Sequence, residues 1–370
     1  MLENLRNKKL IKYYLKEISK KTEKIKYPLK IMEVCGTHTV VIYKYGLRKI
    51  LKDLSIDMIS GPGCPVCVTP NEIIESAISI LERENFILAT FGDMTRVPTR
   101  KGSMQDFSPE KGSIKKIIYS PEEAIELSEK YPKKEVVFFG VGFETTIPSI
   151  GWTVKKAKEK NLKNFSALTA LWLIPPPLKA LVSSDEIRIS GFLYPGHVSA
   201  IIGTEPYRFI PEEYHIPGAI TGFEPCDVLM GIDSILTQII KNRPSVDIQY
   251  KRVVRKNGNE KAKKLMGEMF EEKDTIWRGL GLIKRSGLRL KSLYSDFDAE
   301  KRFNINIKLS SADLPGCKCG EVIKGIISPE ECPLFSKICN PDSPKGPCMV
   351  SYEGACLSSY KYRKTMLSKG

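Results

Sequence analysis

Apolar positions along this chain come in two spacings, and those spacings divide it into elements. Residues 3–26 place Leu5, Ile11, Leu15 and Ile18 near one stripe among lysines, which predicts a surface helix. From residue 29 the pattern changes to short apolar runs that end in Gly-rich turns, each followed by a stretch of helical period. LKIMEVC (29–35), IDMIS (56–60) and FILATFG (86–92) read as strands, with helices over GTHTVVIYKYGLRKIL and NEIIESAISILERE. The segment GPGCPVCVTP (61–70) reads as a loop, with Thr69 as N-cap of the following helix, Pro70 at its first position and Glu72 three on from the cap.

The plan then repeats. EVVFFGVG, SALTALWLI, ISGFLY and AITGF read as strands, and helices follow at Pro148–Lys160, after Pro195-Gly196 and after Glu224-Pro225. Beyond residue 244 the periodicity loosens into a Lys-rich helix near 258–272, the segment WRGLGLIKRSGLRL and a cysteine-dense tail. This alternation predicts an α/β fold of two doubly wound, Rossmann-like parallel-sheet domains with a small irregular C-terminal module. The expected boundaries are a basic helix at 1–29, a first α/β domain at 30–128, a second at 129–243 and the irregular module at 244–370. A GFE triplet at 142–144 and again at 222–224 is a faint internal echo.

In an open parallel sheet, function gathers at the carboxyl ends of the strands. On that rule Cys35, the Cys64/Cys67 pair and Asp93 should meet at one sheet edge. Glu144, His197 and Glu224 should occupy the matching edge of the second sheet, across a cleft.

Composition sharpens the picture. A length of 370 residues suits two or three domains, and the hydrophobic content of 42% is that of a globular protein. The charged first 26 residues do not form a signal peptide and no run reaches membrane length, so we expect a cytoplasmic protein with no membrane association. In that reducing compartment ten cysteines favour metal or redox work over a disulfide framework. Three are early (Cys35, Cys64, Cys67), six are late (Cys317, Cys319, Cys332, Cys339, Cys348, Cys356), and Cys226 stands between them.

The net charge of +15 is concentrated early, with ten Lys and Arg against three Glu in residues 1–30. No nucleic-acid motif accompanies it, so we expect a solvated face rather than a nucleic-acid surface.

Cys35-Gly36-Thr37-His38 puts a thiol between a strand end and a helix start, where N–H groups and the helix dipole favour a thiolate, a soft ligand for iron. His38 would carry a proton or accept a hydrogen bond; the plain alternative is an inert buried thiol. Cys64-Pro-Val-Cys67 at a helix start has the geometry of a redox-active dithiol or of half a zinc site. In the tail, Cys332, Cys339, Cys348 and Cys356 are four thiolates without a histidine. They suit a [4Fe–4S] cluster, zinc being the competitor, and spacing alone does not choose the four while Cys317 and Cys319 are also at hand. The turn containing Glu144 resembles a loose phosphate loop but lacks a Walker lysine, so no nucleotide is inferred. His197 is either a satisfied loop histidine or a member of the cleft, Cys226 a buried thiol and His215 a surface residue.

A series of motifs carries a resemblance. CGTHT (35–39), GPGCPVC (61–67), FGDMTRVP (91–98), GFETTIP (142–148), PGHVSAIIG (195–203), GFEPCD (222–227), WRGLGLIKRSGL (277–288), CGE (319–321) and GPCMVSYEGAC (346–356) resemble, in order, the signatures of the HypD family of [NiFe]-hydrogenase maturation proteins. The resemblance spans roughly residues 32–356 and implies a scaffold that, with a small HypC-type chaperone, carries the Fe(CN)2CO group during assembly, its cyanide coming from a HypE-type donor charged by HypF. It implies Cys35 as an iron ligand shared with that chaperone, and Cys64/Cys67 as a redox pair also able to contact iron. Cys332, Cys339, Cys348 and Cys356 would be ligands of a [4Fe–4S] cluster feeding that pair. Such a protein is a metallocentre-assembly scaffold with redox function more than a free-standing catalyst. An iron–sulfur thiol–disulfide oxidoreductase acting on protein disulfides is the alternative, and a zinc-stabilised nucleic-acid-binding protein is a third reading that rests on charge alone.

Overall fold

Eleven strands and the helices between them build two sheets in the computed structural model, which describes residues 6–367. The strands are β1 (Leu29–Glu33), β2 (Ile56–Ser60), β3 (Phe86–Thr90), β4 (Ile114–Ile117), β5 (Glu135–Gly142), β6 (Phe165–Trp172), β7 (Gly191–Pro195), β8 (Gly218–Thr221), β9 (Val246–Ile248), β10 (Phe270–Trp277) and β11 (Gly281–Leu290). One sheet has the order β2-β1-β7-β8-β9 and is parallel throughout. The other has the order β10-β11-β6-β5-β3-β4; its last four strands are parallel, and the β10–β11 hairpin adds antiparallel to β6. The α/β class with two mostly parallel sheets is as expected.

Sheet membership does not follow the boundaries expected at 128/129 and 243/244. After β2 the chain leaves the first sheet, lays down β3 to β6 in the second, and returns to place β7 beside β1. A strand's own sequence gives its burial, but not which distant strand it pairs with. Two pieces of the presumed irregular module also belong to the sheets: β9 closes the edge of the first and the β10–β11 hairpin extends the second. Irregular structure begins only after the short helix Ala299–Arg302.

The layers follow from the alternation of side chains along each strand. Ile31, Leu193 and Ala219 point outward from the first sheet against the helix Pro225–Lys241 and Ile18 of the N-terminal helix. Ile87, Phe138 and Ala167 point outward from the second, against the helix Ile147–Glu159, whose Ile147, Ile150, Val154 and Ala157 keep helical spacing. The inner faces share one apolar core: Met32, Phe192 and Ile220 from one sheet, Leu88, Phe139 and Trp172 from the other. The tail packs into the same core through Cys319, Cys348 and Cys356. At roughly 1.5–3 kcal/mol for each large apolar side chain fully buried, this shared layer fixes the two sheets against each other.

The N-terminal helix spans Lys8–Thr22, is capped by the Asn7 side chain and buries Ile18. Leu5, counted in its stripe, lies outside the described residues. Lys21 holds it to the helix Pro225–Lys241 through Asp233, at 2.5 Å. Two local expectations are corrected. GPGCPVCVTP contains a short helix, Pro65–Val68, and Thr69 does not cap the next one: its hydroxyl donates to the Pro65 carbonyl, and Pro70 precedes the helix Asn71–Ile80 without a side-chain cap. Among the described residues no helix is long and apolar enough to cross a membrane.

Candidate functional site

The carboxyl ends of β1, β2, β7 and β8 lie side by side in the first sheet and bring forward Cys35, Cys64, His197 and Glu224 in that order of strands. Asp93 and Glu144 follow β3 and β5 and so belong to the second sheet. The expected grouping is corrected accordingly: His197 and Glu224 share a sheet edge with the early thiols, and Asp93 does not. The two GFE triplets do occupy equivalent places, each at the end of a strand, one in each sheet.

Cys35 precedes the helix Gly36–Lys44 with an extended backbone. Its N–H donates to Glu33 Oε2 at 3.0 Å, while Glu33 Oε1 accepts from Thr39 Oγ1. The loop after β2 presses on this turn. The Gly36 N–H donates to the Gly63 carbonyl at 3.1 Å, and a Cβ on Gly63 would stand 2.4 Å from the Cys35 nitrogen. From the opposite side comes the tail: a Cβ on Gly36 would meet Glu353 Cβ at 2.2 Å, and Thr37 Oγ1 donates to Glu353 Oε1. Two glycines thus allow three segments to converge on Cys35.

Cys64 and Cys67 are joined in a disulfide, and both are buried, at 4% and 1% exposed. The Cys67 N–H donates to Cys64 Sγ at 3.1 Å, as the helix start Pro65–Val68 dictates. Burial, together with the charge of Glu353, pushes the Cys35 thiol up to about 12, although the amides of Thr37 and His38 at the helix start pull the other way. The expectation that the helix terminus makes this a thiolate is therefore corrected for the free protein: desolvation outweighs the dipole.

His38 is fully buried, and its Nε2 lies 2.9 Å from both the Gly222 carbonyl and Thr221 Oγ1. A carbonyl only accepts, so Nε2 carries the proton and Nδ1 is a bare acceptor without a partner. Burial lowers the His38 pKa to about 4. Phe223 is flanked by His38 and by His197, which stacks on it at 4.0 Å from the exposed side. Glu224 caps the helix Pro225–Lys241 and pairs with Arg6, a structural duty. Cys226 is buried in that helix, and His215 is exposed.

Asp93 reaches the same centre through the tail. Its Oδ2 accepts from the Tyr352 N–H, and Arg96 donates to the Val350 carbonyl, so the pair holds the loop that presents Glu353. Glu144 stands apart from the thiols. It is 1% exposed, its Oε1 accepts from the Ile174 N–H, its Oε2 has no partner among the described residues, and burial pushes it up to about 7. It lines a cavity of about 500 Å³ with Leu173, Pro175 and Phe209.

The late cysteines form a nest. Cys317 Sγ and Cys319 Sγ are 3.3 Å apart, and a Cβ on Gly346 would fall 2.5 and 2.7 Å from them. Cys348 and Cys356 are near enough to Cys319 to influence its titration, and Cys339 Sγ accepts from the Lys345 N–H. Cys332 and Cys339 lie within the charge range of these thiols. Cys319, whose role the spacing left open, sits among the others at the centre. Among the described residues no group of three or more His, Cys, Asp or Glu stands at metal-ligand spacing.

Sequence reasoning did not single out Glu33, Glu353 or Arg278. Arg278 is fully buried; its Nε and Nη2 donate to the Thr69 carbonyl and its N–H to the Val68 carbonyl, directly after Cys67. The only signal was position, since Arg278 and Glu353 both fall inside motifs that carry the family resemblance.

Comparison with known proteins finds relatives over nearly the whole chain. The family model HypD, described as "Hydrogenase formation hypA family", matches residues 9–363. The chain is 42% identical to hydrogenase maturation factor HypD2 of Bradyrhizobium diazoefficiens over 342 residues, 90% of each chain. It is 40% identical to hydrogenase maturation factor HypD of Rhodobacter capsulatus, over 96% of each chain. It is 42% identical to that of Escherichia coli strain K12, over 91% of this chain and 90% of the relative.

Proposed function

This chain belongs to the HypD family of hydrogenase maturation factors, and from that premise we propose that it is the redox-capable scaffold on which, with a small HypC-type chaperone, the Fe(CN)2CO group of [NiFe]-hydrogenase is assembled. The observation that supports the reading is the convergence at Cys35: the Cys64–Cys67 loop packs on one side of its turn and the cysteine-bearing tail on the other.

Iron arrives as substrate. Cys35 binds it as thiolate and releases its proton on doing so, since metal binding selects the deprotonated sulfur. A second thiolate comes from the small chaperone, and cyanide from a HypE-type donor, in the cytoplasm. His38, neutral and three residues on from Cys35, is a candidate acceptor for a proton leaving this centre, as is the Glu33 carboxyl that already accepts from the Cys35 N–H. Glu33 and Thr39 hold the Cys35 turn, and Asp93 with Arg96 hold the tail loop over it. Glu144 lines its own cavity and His197 stacks on Phe223, and among the described residues neither bonds a thiol.

The late cysteines fit a resident [4Fe–4S] cluster on two grounds. Their donor set is all sulfur, and a wholly buried arginine, Arg278, which makes no ion pair among the described residues, stands beside them. Cys332, Cys339, Cys348 and Cys356 would hold it, with Cys317 and Cys319 in the same nest. When bound it supplies single electrons at low potential. Reduction of the Cys64–Cys67 disulfide takes up two electrons and two protons and leaves two thiols. Burial of that disulfide disfavours the alternative of an oxidoreductase acting on protein disulfides, because exchange needs access for an attacking thiolate.

The test is infrared spectroscopy of the protein purified anaerobically with its small partner. Cyanide and CO stretching bands are expected, and they should vanish in Cys35→Ala while the fold is retained. Bands of undiminished strength in that variant would sink the role of Cys35.

A further inference from the structure

Burying an arginine without an anion costs several kcal/mol, so a fully buried guanidinium marks where negative charge belongs. Arg278 is such a group. It is 0% exposed, and among the described residues it takes part in no ion pair. Three of its donors are spent on backbone: Nε and Nη2 on the Thr69 carbonyl, and its own N–H on the Val68 carbonyl. Nη1 is buried and has no partner among the described residues.

What lies beyond it is the thiol nest. The next residue, Gly279, is packed so closely on the tail that a Cβ there would stand 2.3 Å from Gly320 Cα, directly after Cys319. The groups whose charge Arg278 feels are Cys319, Asp313, Cys348 and Cys317. Asp313 is not its ion-pair partner, since its Oδ2 accepts from the Gly320 N–H and its Oδ1 has no partner either. Neutral thiols do not compensate a buried cation, whereas thiolates bound to iron do.

We propose that Arg278 is the fixed counter-charge of the cysteine nest: it raises the reduction potential of the cluster held there and, through Thr69, ties that centre to the Cys64–Cys67 segment. The inference rests on the cluster reading above. It makes Arg278 a positioning residue, acting on the cluster by its field and on the dithiol by its grip. A positive charge stabilises the more negative, reduced cluster, so removing it lowers the potential. Arginine suits both tasks, because its planar fork can hold a carbonyl with two nitrogens while the third faces elsewhere.

The experiment compares the full chain, purified anaerobically, as wild type, R278Q and R278K. Iron and sulfide are assayed, and the midpoint potential is read by electron paramagnetic resonance during redox titration. In R278Q with a full cluster, the ratio of oxidised to reduced cluster at the wild-type midpoint is expected to rise at least tenfold, 59 mV for a one-electron couple. R278K keeps the charge and should stay within threefold of wild type. An unmoved potential in iron-replete R278Q overturns the proposal while leaving the cluster reading intact. A wild type without iron–sulfur overturns both. Should R278Q not fold, R278M replaces it as the charge-free variant: a tenfold rise in the same ratio supports the proposal, and an unmoved ratio in iron-replete protein overturns it.

Discussion

The amide nitrogen of Cys35 and the α-carbon of Gly63 are so close that a methyl group on Gly63 would stand 2.4 Å from that nitrogen, with the carbonyl carbon of Val34 at 2.5 Å. Both obstacles are backbone, so neither can rotate away. Gly63→Ala is therefore expected to push the Cys64–Cys67 loop off the Cys35 turn. Overpacking of this kind costs about 1–3 kcal/mol, and a melting temperature lowered by several degrees should accompany loss of iron from the complex with the small partner. A variant that melts like wild type and still loads iron would show that the turn yields freely.

Gly267 is the opposite case. It lies in the exposed helix Glu260–Met269, and a Cβ there meets nothing within 4 Å. Gly267→Ala should stabilise the protein by about 0.5–1 kcal/mol, since glycine costs that much in a helix interior. Denaturant titration checks it, and a destabilised variant would contradict the helix.

What the sequence revealed and what it hid divide along one physical line. Local signals were legible: the apolar runs of β5 and β6, buried on both faces, and the thiols just past strand ends. Pairing across long stretches of chain was not: order along the chain groups β3 with β1 and β2, although it hydrogen-bonds to β5. The hairpin was disguised because β10 carries Glu271, Glu272, Lys273 and Asp274 in unbroken succession at the edge of its sheet, which reads as a polar surface segment. Its turn was nonetheless written in Gly279 and Gly281, which both adopt positive φ. Arg278 and Glu353 escaped notice because charged residues are expected outside, and only the packing around Thr69 and Gly36 draws them in.

Asp93 is predicted to act by holding the tail. Its bond to the Tyr352 N–H keeps Glu353 seated over Gly36. In Asp93→Ala that amide should exchange its hydrogen at least several-fold faster, with a stability loss of about 1 kcal/mol. Unchanged exchange at Tyr352 together with lost maturation would instead argue for direct chemistry by the carboxylate.

Glu144 gives a pH dependence with a definite sign. Burial raises its pKa from the ordinary carboxylate range to about 7, so between about pH 4.5 and 7 the folded protein holds a proton that the unfolded chain has released. Stability is then fully present below that window and declines as pH rises through it, by at most ~1.4 kcal/mol per pH unit. Glu144→Gln keeps an oxygen for the Ile174 N–H and should remove the Glu144 share of that decline, leaving the share of buried Glu33, whose carboxyl is pushed up to about 8. Parallel curves for wild type and variant from pH 5 to 8 would mean that the carboxyl is solvated after all.

His38 gives the reverse sign. Its pKa is lowered to about 4, so below about pH 6.5 the unfolded chain gains a proton that the folded protein refuses. Stability falls as pH drops from 6.5 towards 4, and down to about pH 5 the ring stays neutral in the native state. The bond to the Gly222 carbonyl fixes the hydrogen on Nε2, which leaves Nδ1 as the acceptor. Nitrogen-15 spectra of the folded protein should show this single tautomer for His38 from pH 8 to about 5. His38→Gln can still donate to Gly222 but has no proton to refuse, so its acid branch should be shallower. A protonated His38 at pH 6 would remove it as a resting acceptor, because an imidazolium has no lone pair to receive a proton from a metal-bound thiol.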